Sequence, residues 1–191
     1  MRGTSVATTP ERIPADASRD GDGIVIGAGP IAVDAYIDFL CPFCRQFEER
    51  ASSTLMRLVS DGAISLVYHP LAFLDRLSTN HYSSRASAAS GCAADAHRFD
   101  AYKVALFANQ PAEGGPGWTD EELIALGHAV GLTHEGFDRC VGAGAYLPWT
   151  AYVTARAIER GVSGTPTVFV AGVGVPAEPE VIVAAVAEAA G

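Results

Sequence analysis

Cys41 and Cys44 enclose only Pro42 and Phe43, and this Cys-x-x-Cys pair is the pattern in the chain that carries the most chemistry. Two cysteines three residues apart can close a small disulfide ring if they sit at the start of a helix. Cys41 would then face free backbone N–H groups and the positive end of the helix dipole, both of which favour thiolate over thiol. An ordinary thiol, with a pKa of about 8.5, is only ~3% ionised at pH 7. Lowering that pKa by about two units makes most of it thiolate, at some cost in intrinsic nucleophilicity, and turns the sulfur into a good leaving group. A stabilised thiolate also favours the reduced form, so the disulfide form becomes oxidising. Cys44, deeper in the helix, is expected to be shielded and to resolve a mixed disulfide by intramolecular exchange. The competing readings are a structural disulfide, half of a zinc site, or two buried thiols. Zinc needs about four ligands, commonly including a second cysteine pair, and Cys92 and Cys140 stand apart.

The flanking elements are those that would place the pair. GIVIG (23–27) reads as a short strand, and IAVDAYIDFL (31–40), rich in β-branched and aromatic residues, as a buried central strand. After Cys41 the apolar positions Phe47, Ala51, Leu55, Leu58 and Val59 recur at helical spacing, and Pro42 suits a first helical position because its missing N–H would be unpaired there anyway. AISLVYH (63–69) is a second strand, so the pair lies at a strand-to-helix junction inside a strand–helix–strand unit whose crossover should be right-handed. From about 77 to 160 the reading is all helical. Thr119 and Glu122 form a capping box, Thr133 is taken as the cap of a short helix, and a longer helix runs over about 148–160. TVFVAGVGV (167–175) reads as two strands turning at Ala171–Gly172, and 176–190 as an amphipathic helix. Residues 1–22, without periodicity, read as a disordered tail or linker.

The second signal is GVSGTPTVFV (161–170), where Thr165–Pro166 immediately precedes a strand. Proline there marks a tight strand entry, and a cis peptide is the natural way to make such a bend. With DFLCPFC (38–44) and this segment in view, the chain resembles the thioredoxin superfamily, and most closely its DsbA-like thiol–disulfide oxidoreductases, over roughly residues 23–190. The resemblance implies an α/β thioredoxin fold interrupted by an all-helical insertion, with 23–76 and 161–191 forming the thioredoxin-like part and 77–160 the insertion. It implies Cys41 as nucleophile, Cys44 as resolving thiol and Pro166 as the cis-proline facing them. Substrate contact would fall to Thr165, whose backbone would pair with an extended segment, and to Pro42 and Phe43. It further implies a structural disulfide between Cys92 and Cys140 tying two insertion helices. The competing reading of those two is a pair of free, buried thiols behaving as small hydrophobes. The chain departs from the family pattern in two places. Many relatives carry a buried carboxylate six residues before the first cysteine, where this chain has Ala35, and strongly oxidising relatives carry a histidine between the cysteines, where this chain has Pro42 and Phe43. By strand alternation Asp34 and Asp38 fall on the face opposite Ala35, leaving water or Asp38 to accept the proton of the resolving thiol.

Composition narrows the function classes. With 191 residues, 49% of them apolar and 18% charged, the chain can bury a core without needing metals or disulfides merely to fold. A net charge of −9 gives no basic footprint for nucleic acid and would be repelled by anionic membrane surfaces. There is no apolar run of about 18 residues and no apolar stretch in the first 22, so neither a membrane span nor a signal peptide is expected. An extracytoplasmic setting would follow if an export segment lies outside this chain or if Cys92 and Cys140 are bonded. The expected activity is disulfide exchange with cysteine-bearing polypeptides and a redox partner. It would need no cofactor beyond the cysteines and would be carried out by a monomer. Oxidase is preferred over isomerase because no separate dimerisation domain is visible, and a disulfide reductase or isomerase of the same fold is the alternative. A metal-binding module and a non-redox peptide-binding chaperone are the rivals from other classes. His69 is read as a satisfied structural histidine, Trp118 and Tyr146 as packing residues in preference to a peptide groove, and the sole lysine, Lys103, is given no function.

Overall fold

The computed structural model describes residues 8–191. Its five-stranded sheet has the order β1-β3-β2-β4-β5, formed by β1 (Ile24–Ile26), β2 (Ile31–Ile37), β3 (Ile64–Pro70), β4 (Thr167–Val170) and β5 (Val173–Val175). The two central strands β2 and β3 run parallel, in register from Ile31 opposite Ile64 to Ile37 opposite Pro70, and the other pairings are antiparallel. A parallel pair needs a long crossover, and helix α1 (Pro42–Ser60) supplies it. Near-continuous burial along β2 and β3 marks them as covered on both faces.

Between β3 and β4 the chain forms α2 (Tyr82–Ala94), α3 (Phe99–Ala108), α4 (Asp120–Ala129), α5 (Glu135–Gly142) and α6 (Leu147–Glu159), and α7 (Pro179–Ala190) closes it. The result is the α/β sheet with an all-helical insertion that the resemblance implies. Small residues on α2 (Ala86, Ala89, Ala93) are fully buried, which allows neighbouring helices to approach closely. Within the insertion Cys92 of α2 and Cys140 of α5 are bonded to each other. The β4–β5 hairpin turns on Ala171 and Gly172, both at positive φ, which matches the twist of the flanking strands.

Three local readings are corrected. The expected disordered tail, where described (residues 8–22), is docked instead: Ala17 bridges Ile24, the Trp149 indole donates to the Gly21 carbonyl (2.8 Å) and the Tyr152 hydroxyl to that of Asp20 (2.8 Å). Residues 1–7 of that tail lie outside the described residues. The segment is held by backbone groups that satisfy buried donors on α6, so it carries no apolar periodicity. The central strand ends at Ile37, not Leu40, because the Asp38 carboxylate accepts from the Leu40 amide and draws the chain into a turn. Finally, α5 is capped by His134, whose Nδ1 accepts from the Phe137 amide (3.0 Å), one position later than the predicted Thr133.

Candidate active site

Cys41 is the N-cap of α1 and Pro42 its first helical residue, so the free amides of the first turn surround the sulfur. Two turn hydrogen bonds, Cys41 N–H to the Asp38 carbonyl (3.0 Å) and Cys44 N–H to the Cys41 carbonyl (3.1 Å), set this geometry. A third support comes from the end of α3, where the Gln110 side-chain amide donates to the carbonyls of Phe39 (2.9 Å) and Cys41 (3.0 Å). Sequence reasoning did not find Gln110, because nothing local links it to residues about 70 positions away.

The Cys41 thiol donates to the Thr165 carbonyl at 3.4 Å, and Thr165–Pro166 is a cis peptide bond. The Cys41 pKa falls from 9.0 to about 6. The hydrogen bond from the Cys44 thiol contributes most, and a bond from Thr165 and the amides of Cys44 and Phe43 add to it against the opposing effect of burial. Cys44 is fully buried, and burial together with the neighbouring Cys41 charge pushes its thiol well above the ordinary value. Both thiols are free, and the Asp38 amide donates to the Cys44 sulfur at 3.4 Å. The two environments therefore drive the sulfurs apart in acidity, one poised to ionise and one held protonated.

A groove of about 660 Å³ opens beside Cys41. Pro42, Phe43, Phe73, Ile158 and Val162 give it an apolar lining, and Gly164 and Thr165 lend it backbone groups. Phe43 and Ile158 stay 65% and 60% exposed, an expense for large apolar side chains that contact with another molecule would relieve. Thr165, Pro42 and Phe43 thus lie together on this groove, whereas Trp118 and Tyr146 do not line it. The Trp118 indole donates to the Asn109 carbonyl, and buried Tyr146 donates to Asp95. His69 is buried, stacked on Tyr36, with Nδ1 on the Asp22 carbonyl and Nε2 on Asp34.

Ala35 is buried in β2 opposite Tyr68 and Val168. The expectation that Asp38 falls on the strand face opposite Ala35 is corrected. Asp38 lies one residue past the end of β2, where alternation no longer applies, and its side chain is fully buried. Buried charge beside Tyr68, the neighbour of Ala35 in β3, comes from the helices. Lys103 of α3 bonds Glu48 of α1 (2.6 Å) and the Tyr68 hydroxyl (3.0 Å) and lies 3.1 Å from Asp100. Burial alone would lower the Lys103 pKa, but these oxygens outweigh it and the ammonium is held protonated. Among the described residues no group of three or more His, Cys, Asp and Glu could hold a metal ion, and no helix is long and apolar enough to cross a membrane. His128 and His134 are engaged with Asp138 and as the α5 cap.

Comparison with known proteins adds to this geometry. A family model described as thioredoxin matches residues 20–187. The reduced form of a disulfide bond oxidoreductase (DsbG) from Mycobacterium tuberculosis is 34% identical, with a TM-score of 0.78, covering 90% of this chain and 88% of that one. Reduced DsbA from the same organism is also 34% identical, with a TM-score of 0.78, covering 89% of this chain and 93% of its own. BdbD from Bacillus subtilis, at 17% identity and a TM-score of 0.78 over 94% and 98% of the two chains, shares the fold. No curated protein sequence matches the chain.

Proposed function

The chain belongs to the thioredoxin family and is a DsbA-like protein disulfide oxidoreductase, and on that premise we propose that its CPFC pair donates disulfides to cysteine-containing polypeptides. In this reading a substrate thiolate attacks the sulfur of Cys41 in the oxidised pair. The Cys41–Cys44 bond breaks, Cys44 leaves and takes a proton, and a mixed disulfide joins the substrate to Cys41. A second substrate thiolate then attacks the substrate sulfur of that mixed disulfide, forming the substrate disulfide and releasing Cys41 as thiolate. Two electrons have passed from substrate to the pair.

The observation that carries the donor direction is the position of Cys41 at the N-cap of α1, where its pKa falls to about 6. A low thiol pKa makes Cys41 the better leaving group and favours the reduced pair. In the reverse direction the same thiolate would attack a substrate disulfide and Cys44 would resolve the adduct. Pro166 would shape the wall opposite the sulfurs. An extended substrate segment would lie in the groove, its backbone pairing with Thr165 and its apolar side chains covering Phe43 and Ile158 beside Pro42. No cofactor beyond the cysteines enters this chemistry. The Cys92–Cys140 bond supports a structural disulfide and an oxidising, extracytoplasmic setting. The protein would act as a monomer, reset by a separate redox partner.

The experiment is an equilibrium of the Cys41–Cys44 pair against a glutathione buffer, together with oxidation of a dithiol peptide. A potential well above the cytosolic glutathione poise, with peptide oxidation lost in Cys41→Ser, is the expected result. A potential well below that poise would make the protein a reductase instead.

A further inference from the structure

The wall of the groove beside Cys41 carries one carboxylate. Glu113 lines it together with Phe43, Phe73, Ile158 and Thr165, and among the described residues no lysine or arginine does so. Glu113 is exposed, and none of the described residues bonds to it or pairs with it. Other surface acids are matched: Glu49, Glu178 and Asp120 each meet an arginine, respectively Arg45, Arg50 and Arg85. A carboxylate without a counter-charge on an otherwise apolar wall is open to a cation that arrives with a partner.

The loop that bears Glu113 is fastened on both sides of it. Before it, the Gln110 side-chain amide donates to the carbonyl of Cys41 itself (3.0 Å). After it, the Gly114 amide donates to the Leu77 carbonyl (2.7 Å), the Thr79 amide to the Gly115 carbonyl (3.1 Å), and the Asn80 side chain exchanges hydrogen bonds with the Gly117 backbone (2.8 and 3.1 Å). Three residues of chain span at most about 11 Å, so Glu113 keeps a fixed place close to the reacting sulfur. An extended substrate advances about 3.3 Å per residue and meets the same distance within about three residues of its own cysteine.

Extending the preceding reading, on which this inference rests, we propose that Glu113 is a specificity-determining residue of the groove: the protein exchanges preferentially with extended segments that carry an arginine or lysine within about three residues of the reacting cysteine. Backbone pairing at Thr165 and apolar contact with Phe43 and Ile158 accept many sequences, so the lone charge is the element that tells them apart. An exposed ion pair adds little to affinity in absolute terms, but it ranks substrates that are otherwise alike, and salt weakens it.

The test uses reduced Cys44→Ser, in which Cys41 is the free thiol, and short peptides whose single cysteine is activated as a thiopyridyl disulfide. The Cys41 thiolate attacks the peptide sulfur, the bond to thiopyridine breaks, and the thiopyridone released is followed by absorbance as the mixed disulfide forms. The peptides carry leucine beside the cysteine and arginine, glutamine or glutamate three residues from it, on each side in turn. On at least one side the arginine peptide should react roughly threefold faster than the glutamine peptide and roughly tenfold faster than the glutamate peptide at low salt, and the ratios should shrink toward one at high salt. Adding Glu113→Gln should bring the three rates together, and Glu113→Lys should reverse their order. Adding Glu188→Gln, which removes the same charge from α7 outside the groove, should keep the ranking. Equal rates for the three peptides on both sides, a ranking that survives Glu113→Gln, or one lost equally in Glu188→Gln overturns the proposal. The comparison needs only a free Cys41 thiol, so a potential that made the protein a reductase would sink the donor reading and leave this result decisive.

Discussion

The sulfur of Cys41 stands 3.4 Å from the carbonyl oxygen of Thr165, although 124 residues separate them in the chain. The helix start and the strand entry are thus one site, and anything bonded to that sulfur lies against the backbone at the head of β4. This relationship decides what each cysteine variant should do. Cys41→Ser should reduce disulfide exchange to background. Cys44→Ser should accumulate a mixed disulfide between Cys41 and substrate, because the resolving thiol is gone. Non-reducing electrophoresis after incubation with a disulfide-bonded polypeptide, whose disulfide the Cys41 thiolate attacks with release of the other substrate thiolate, separates the two outcomes, and trapping through Cys44 in Cys41→Ser would contradict the assignment.

Stability of the reduced protein should depend on pH with a definite sign. The Cys41 pKa is lower in the folded state, so its contribution is fully present above the unfolded value near 9.0 and is lost as pH falls through about 6. Cys44 acts oppositely: its thiol is raised by folding, so a penalty grows as pH climbs past 9.0. Asp38 is raised too, and its contribution, complete below 3.8, is lost as pH rises through about 6. Neither sulfur titrates in the oxidised protein. The gap between reduced and oxidised stability should therefore shift toward the reduced form as pH rises from 6 to 9. Denaturant titrations of both forms at several pH values check this, and a pH-independent gap would contradict it.

Much of this was legible before any coordinates. The Cys-x-x-Cys spacing, Pro42 at N1 and the alternation from periodicity two to periodicity 3.6 all report local geometry, and α1, β3 and the β4–β5 hairpin lie close to where those patterns put them. Asp38, Gln110, Lys103 and the docked segment before β1 were not legible in their roles. Each acts through a partner distant in sequence, or through backbone groups, and leaves no periodic trace in the chain. Asp38 was misplaced by a rule that holds only while a strand continues.

Lys103→Met should be strongly destabilising. It would leave Glu48 buried in α1 without its cation, and breaking one side of a buried pair typically costs about 3–5 kcal/mol. The double variant Glu48→Gln with Lys103→Met should recover part of that loss. Chemical denaturation of the two variants tests it, and equal stability of Lys103→Met and wild type would show that the pair contributes nothing.

Removing the insertion crosslink should cost stability and spare chemistry. The Cys92–Cys140 bond closes a loop of 48 residues, worth about 4 kcal/mol in the chain-entropy account. Cys92→Ala with Cys140→Ala should unfold at lower denaturant concentration, yet its folded fraction should exchange disulfides at an undiminished rate. Loss of exchange from a fully folded double variant would instead give the bond a part in the reaction.

The burial of Lys103 reaches beyond energetics. It is the only lysine in the chain, and its ammonium is closed off from solvent. Amine-directed reagents consequently find no side chain to label while the interior stays shut. Acylation at position 103 would then serve as a built-in clock for opening events, read by mass spectrometry without any engineered probe.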